Sequence, residues 1–169
     1  MQEITTAELA LEPLTVAHAD AMFEVLSDPQ IYPYLDYPPP PSVEHLRSVY
    51  QRVAARRSSD ERELWLNWIV RPHGQSPAGY VQATVLPDGH AWIGYVLSSR
   101  YWGRGYAQQA TTAMLDHLRS VYRVDRLLAT VETKNHRSIR LLEKLCFERA
   151  DTLESARHRL SPTEELFVR

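Results

Sequence analysis

Residues 94–110 read GYVLSSRYWGRGYAQQA, and the change of character inside this stretch decides the fold. An apolar run ends at Leu97, a Gly-x-Gly turn follows at Gly103 and Gly105, and helical spacing begins. A strand that turns in this way into a helix directs several backbone N–H groups toward one point. The helix N-terminus adds about half a positive charge there, which suits a diphosphate-like anion. Gly103 and Gly105 permit close backbone approach and unusual dihedrals, Ala107 is small enough to lie against a ligand, and Arg104 offers a cation from the side. Taken alone, Gly-x-Gly before a helix also fits a tight structural turn. A dinucleotide fingerprint would need a third glycine where Gln108 stands, and a P-loop would need Gly-Lys-Ser/Thr, which is absent.

Working outward, residues 105–122 predict a long helix with Ala107, Ala110, Met114, Leu118 and Val121 on its buried face. Residues 126–131 read as a strand, so 91–131 form a strand–helix–strand unit with a parallel pair and a right-handed crossover. A final amphipathic helix is expected over 135–145, and closing strands over 147–153 and 165–168. On the N-terminal side, 8–14 reads as a strand and 16–26 as a helix. Residues 42–57 read as a second helix with Val43, Leu46, Val49, Tyr50 and Val53 on one side. Strands over 64–70, 79–86 and 91–97 are joined by short turns and should run antiparallel. Pro38, Pro39, Pro40 and Pro41 can continue neither a helix nor a central strand. They read as a stiff spacer between the first two helices, or alternatively as one wall of a cleft. The whole is a mixed α/β arrangement, a twisted sheet with helices on both faces.

The chain has 169 residues, which favours one domain over 1–169. At 44% hydrophobic residues it can build a packed core. A net charge of −2 and an isoelectric point of about 6.4 offer no broad basic field, so nucleic acid is not expected as a partner. No apolar run approaches the ~18 residues that span a bilayer, and the N-terminus lacks a basic segment followed by an apolar run. A cytoplasmic protein without membrane association is therefore expected. The lone cysteine, Cys146, forms no internal disulfide, and the seven histidines are scattered without metal-ligand spacing, so no metal is expected.

Tyr101-Trp102-Gly103-Arg104-Gly105-Tyr106-Ala107, with Ala110 beyond, closely resembles the acetyl-CoA motif of the GNAT acetyltransferases. The likeness is best to the branch containing ribosomal-protein N-terminal acetyltransferases. In the family's Gln/Arg-x-x-Gly-x-Gly/Ala pattern, Trp102, Gly105 and Ala107 fill the marked positions, with Trp102 as an aromatic departure. A second motif, Asn135-x-x-Ser138 followed by Leu141 to Phe147, is similar to the family's Asn-x-x-Ser helix ending in Glu-Lys-x-Gly-Phe. The Ile93-Gly94-Tyr95 strand also fits, and the 28–35 segment looks like the family's opening helix-loop.

The resemblance implies a GNAT fold of about six or seven strands with a splayed parallel pair at the cofactor cleft. It implies a pantetheine arm along Tyr95, Val96 and Leu97. The diphosphate would lie on the N–H groups of Gly103, Arg104, Gly105, Tyr106, Ala107 and Gln108, beside Trp102. Asn135 matches a cofactor-arm contact, and its alternative role is helix capping. Ser138 matches a serine that protonates the leaving thiolate, and its alternative role is packing under the sheet beside Leu142 and Leu145. Leu142 stands where many relatives carry a tyrosine acid. Trp92 stands where some carry a glutamate base, which leaves Glu132 and His90 as candidate bases. The implied reaction is direct attack of an amine on acetyl-CoA in a ternary complex, without a metal, by a monomer or homodimer. An α-amine with a pKa near 8 needs less help than a lysine near 10.4, which favours a peptide terminus or a small-molecule amine. Tyr32, Tyr34, Tyr37, Trp65 and Trp68 are candidate acceptor-pocket walls. Cys146 replaces a glycine at a helix end and reads as structural. Two alternatives remain at this point: a non-catalytic acyl-CoA-binding or sensing domain, and a nucleotide-binding regulator.

Overall fold

A computed structural model of the chain describes residues 1–158 and 160–169. It contains one mixed eight-stranded sheet in the order β1-β2-β3-β4-β5-β6-β8-β7. The first five strands are β1 (Ile4–Thr5), β2 (Leu9–Pro13), β3 (Leu64–Pro72), β4 (Gly79–Val85) and β5 (His90–Leu97), each antiparallel to the next. The next strand, β6 (Arg126–Glu132), runs parallel to β5. The C-terminal β8 (Glu164–Val168) lies antiparallel to β6 and carries β7 (Glu148–Arg149) at the edge. The count exceeds expectation by the short edge strands.

Alternation along the strands assigns the two faces. On β3, Leu66, Trp68 and Val70 join Leu9, Leu11, Ala91 and Ile93 in a core beneath α3 (Tyr106–Tyr122) and α4 (His136–Lys144). Ile69 and Val96 face the other way, against α1 (Ala19–Leu26) and α2 (Val43–Val53). Ser42 caps α2 by accepting from the His45 N–H at 3.1 Å, and Leu46 and Tyr50 are its buried residues. Residues 16–26 divide into a 3-10 turn, Val16–His18, and α1.

Two expectations fail here. The strand read over 147–153 is only the pair Glu148–Arg149. Asp151 then accepts from the Glu154 N–H at 2.8 Å and starts α5 (Thr152–Arg157). Val121 is 54% exposed instead of buried. The apolar stripe of α3 ends at Leu118, and the ring of Tyr122, 5.7 Å from that of His117, covers the last turn instead. Among the described residues no helix is long and apolar enough to cross a membrane.

Candidate functional site

The site begins where the parallel pair comes apart. β5 and β6 are paired only at His90–Arg126, Ala91–Leu127 and Trp92–Leu128. Beyond these, β5 follows β4 to Leu97, and β6 follows β8 to Glu132, so their facing edges separate. The Leu86 N–H donates to His90 O and the Ser98 N–H to Ala78 O. In an antiparallel ladder this parity turns the backbone groups of Ile93, Tyr95 and Leu97 toward the gap. The Leu97 carbonyl there accepts from Trp102 Nε1 at 2.9 Å, which ties the Gly-x-Gly turn to the strand end.

A cleft of about 640 Å³ fills the gap. Of the expected cofactor residues, Tyr95, Val96, Leu97, Trp102, Gly103, Gly105, Tyr106, Ala107, Gln108, Asn135 and Ser138 line it. The Arg104 side chain does not; its guanidinium lies over the Tyr101 ring, 5.5 Å from the centroid. Gly103 and Gly105 adopt φ of 77° and 79°, values that favour glycine, and Gly105 is the N-cap of α3. The backbone N–H groups of Gly103 through Gln108 donate to no acceptor among the described residues; the first bonded one is Gln109, to Gly105 O at 3.0 Å. Six consecutive donors at a helix N-terminus form an anion cradle. Lys134, Arg137, Arg140 and Lys144 stand in the same wall, with no carboxylate among the lining residues. The Arg137 guanidinium lies 3.6 Å from the Trp102 ring centroid. These cations were missed at the sequence level, although Arg137, Arg140 and Lys144 share one face of α4 by their spacing.

At the inner end of the cleft the Tyr95 hydroxyl meets Ser138 Oγ at 2.6 Å. Burial pushes the Tyr95 phenol up to about 12, partly opposed by its bond to Ser138, so the pair keeps its protons at neutral pH. Asn135 Oδ1 accepts from the Ser138 N–H at 3.1 Å, so its side chain caps α4 while also lining the cleft. Leu142 is buried and supplies no proton donor.

A second cavity of about 340 Å³ adjoins the first, sharing Tyr34, Leu35, Tyr95, Val96, Asn135 and Ser138 with it. Among the described residues its charged lining is Asp36, Glu132 and Glu164, with no basic side chain. The Thr163 hydroxyl donates to Glu132 Oε1 at 3.0 Å. Two cavities of opposite charge therefore meet at Tyr95 and Ser138. The 28–35 segment walls both and is tied down by Asp28, which accepts from Ser98 Oγ (3.1 Å), the Ser99 N–H (2.7 Å) and the Gln30 N–H (3.0 Å).

Other candidates lie elsewhere. Trp68 is fully buried on central β3, its Nε1 donates to Gln2 O, and its ring meets His117 edge-on, so it forms core and not a pocket wall. Trp65 donates to Glu63 and lines none of these cavities. His90 sits beside Asp88 at the far end of β5 from Tyr95, which removes it as a base. Tyr34 lines both cavities; Tyr32 lines a third, together with the four prolines. Cys146 is exposed at φ 59°, a conformation usual for glycine just after a helix. No group of metal-binding residues occurs among the described residues.

The family model described as an acetyltransferase (GNAT) domain matches residues 8–148. The uncharacterized N-acetyltransferase p20 of Bacillus licheniformis is 27% identical over 165 residues, covering 95% of this chain and 92% of its own. Among solved structures, RimL, a ribosomal L7/L12 alpha-N-protein acetyltransferase in complex with coenzyme A, superposes with a TM-score of 0.84 at 18% identity. That match covers 99% of this chain and 97% of RimL. An acetyl transferase from Salmonella typhimurium, which modifies the N-terminal serine of 50S ribosomal subunit protein L7/L12, gives 0.81 at 18% identity and covers 99% and 98%.

Proposed function

The chain belongs to the GNAT acetyltransferase family, and from that premise we propose that it moves an acetyl group from acetyl-CoA to a primary amine. The observation that carries the reading is the meeting of two oppositely charged cavities at the splayed strands. The basic cleft is lined by five residues with free N–H donors for a diphosphate and by four cations for the remaining phosphate charge. The acidic cavity attracts a cationic amine and holds it beside Ser138.

Acetyl-CoA supplies the activated acetyl thioester; the chain's residues position groups and handle protons. Glu132 takes the proton from the incoming ammonium. The Ser138 hydroxyl, backed by Tyr95, gives a proton to the departing sulfur. The Leu97 N–H, turned into the gap, stabilises negative charge developing on the carbonyl oxygen. The acceptor is a small-molecule amine or a protein α-amine, the latter in line with what RimL is named for.

The test is amine-dependent release of CoA thiol from acetyl-CoA, with acetyl-CoA affinity measured separately by calorimetry. The release is read with a thiol-reactive dye, which the exposed thiol of Cys146 would also titrate, so a Cys146→Ala protein is the working form. Micromolar binding with amine-dependent release supports transfer. Binding without release for any amine favours an acyl-CoA-sensing domain, and absence of binding removes the proposal.

A further inference from the structure

A third cavity, of about 340 Å³, lies beneath the four consecutive prolines. Leu46 and Val49 of α2 form one side, and Tyr32, Tyr37, Tyr50 and Tyr80 also line it. Its polar lining is confined to these tyrosines, His45, Asn67 and Gln82. Tyr37, Tyr80 and Gln82 also line the acidic cavity, so the two spaces adjoin at the Tyr37–Tyr80 hydroxyl pair, 2.5 Å apart. The prolines hold the wall stiffly, because each ring fixes its own φ. Tyr32 spends its hydroxyl on Leu26 O. Tyr50, only 5% exposed, has a hydroxyl with no hydrogen-bond partner among the described residues. That hydroxyl is fully enclosed, so Tyr50 lines the chamber with its ring.

We propose that this chamber selects the acceptor: it takes the apolar, aromatic or branched body of a small primary amine. The ammonium end then rests among Asp36, Glu132 and Glu164, next to Ser138. This rests on the acetyltransferase reading and narrows its substrate. A small amine is favoured over a peptide because the chamber's volume holds one ring or branched chain, not a run of residues. The charge order matches as well, with carboxylates at the reacting end and an uncharged, largely apolar space behind it.

The experiment compares kcat/KM for three acceptors with saturating acetyl-CoA: phenethylamine, spermidine and a serine-initiated pentapeptide. The expected result is phenethylamine at least tenfold above spermidine and the peptide. Val49→Trp, which fills the chamber, should abolish arylalkyl-amine turnover while acetyl-CoA affinity by calorimetry stays within twofold. Faster turnover of the peptide or spermidine overturns this inference alone and leaves acetyl transfer standing. Undiminished phenethylamine turnover in Val49→Trp also overturns it. If no acceptor is acetylated although acetyl-CoA binds, the underlying reading fails too.

Discussion

Replacing Gly105 by glutamate separates the anion site from the fold. Gly105 caps α3 at φ 79°, and a Cβ added there meets nothing within 4 Å, so the substitution causes no clash. The left-handed conformation costs a non-glycine residue about 1–2 kcal/mol. A carboxylate at a helix N-terminus returns about 0.3–1 kcal/mol. The net loss of about 1 kcal/mol lowers the melting temperature by about 2–4 °C for a chain of this size. Binding responds differently. A carboxylate about 5 Å from each of two diphosphate charges is repelled by about 1.7–6.6 kcal/mol in total, for effective dielectrics of about 80 down to 20. Even the lower bound is about a 17-fold loss in affinity. Calorimetry with acetyl-CoA should therefore report at least that loss. The loss should shrink as salt is raised, because exposed charges are screened. Gly105→Lys carries the same backbone strain and similar bulk with the opposite charge, so it should stay within a few fold of Gly105→Ala. Equal losses in the glutamate and lysine variants would show that bulk is responsible and refute the electrostatic reasoning. A glutamate variant that binds as well as the parent would mean that no diphosphate sits at this helix terminus.

Three further outcomes are expected. Ser138→Ala should lower kcat by about 100-fold, the lower range for loss of a general acid, with acetyl-CoA affinity nearly unchanged; because the Tyr95 phenol is pushed up to about 12, the parent enzyme should lose no rate to deprotonation of this pair as pH rises through the ordinary phenol value of 10.0. Asp28→Ala should raise KM for both substrates and cost about 2 kcal/mol of stability, as one carboxylate serves three donors. Partial burial opposes Asp28's ionisation, but its bonds to Ser99, Gln30 and Ser98 outweigh that and hold the carboxyl below 3.8, so the stability gap seen by urea denaturation should persist above that pH and close as pH falls through the lowered value. Glu12→Gln should cost about 1 kcal/mol at neutral pH, since Glu12 takes a forked pair of bonds from Arg71 (2.7 and 3.0 Å) and faces His18 at 3.0 Å. Arg71 first, and His18 after it, depress the Glu12 carboxyl against the opposing effect of burial, so this contribution is complete above 4.5 and disappears at lower pH in paired denaturant midpoints.

What could be read from the sequence was local, and what could not was assembled from distant segments. The turn at Gly103 and Gly105 is written in adjacent residues, because positive φ and a helix start both act over a few positions. The cap at Asn135 is equally local. Asp151 three residues before Glu154 was also a local capping signal, and it outweighed the strand-like run after Phe147. Trp68 misled because its ring faces the core beneath α3, where it is fully buried. The contact between the Tyr95 hydroxyl and Ser138 joins residues 43 apart and exists only once α3 has carried the chain across the sheet. The acidic cavity draws Asp36, Glu132 and Glu164 from three separate segments, and no periodicity connects them. Composition was silent for a related reason. A net charge of −2 is the sum over the whole surface, and here a basic wall and an acidic one largely cancel in that sum while facing adjoining spaces. An anionic donor and a cationic acceptor respond to the wall within a Debye length of about 10 Å, not to the total. Their arrangement places unlike charges on either side of one hydroxyl pair, where acetyl transfer to an amine needs them.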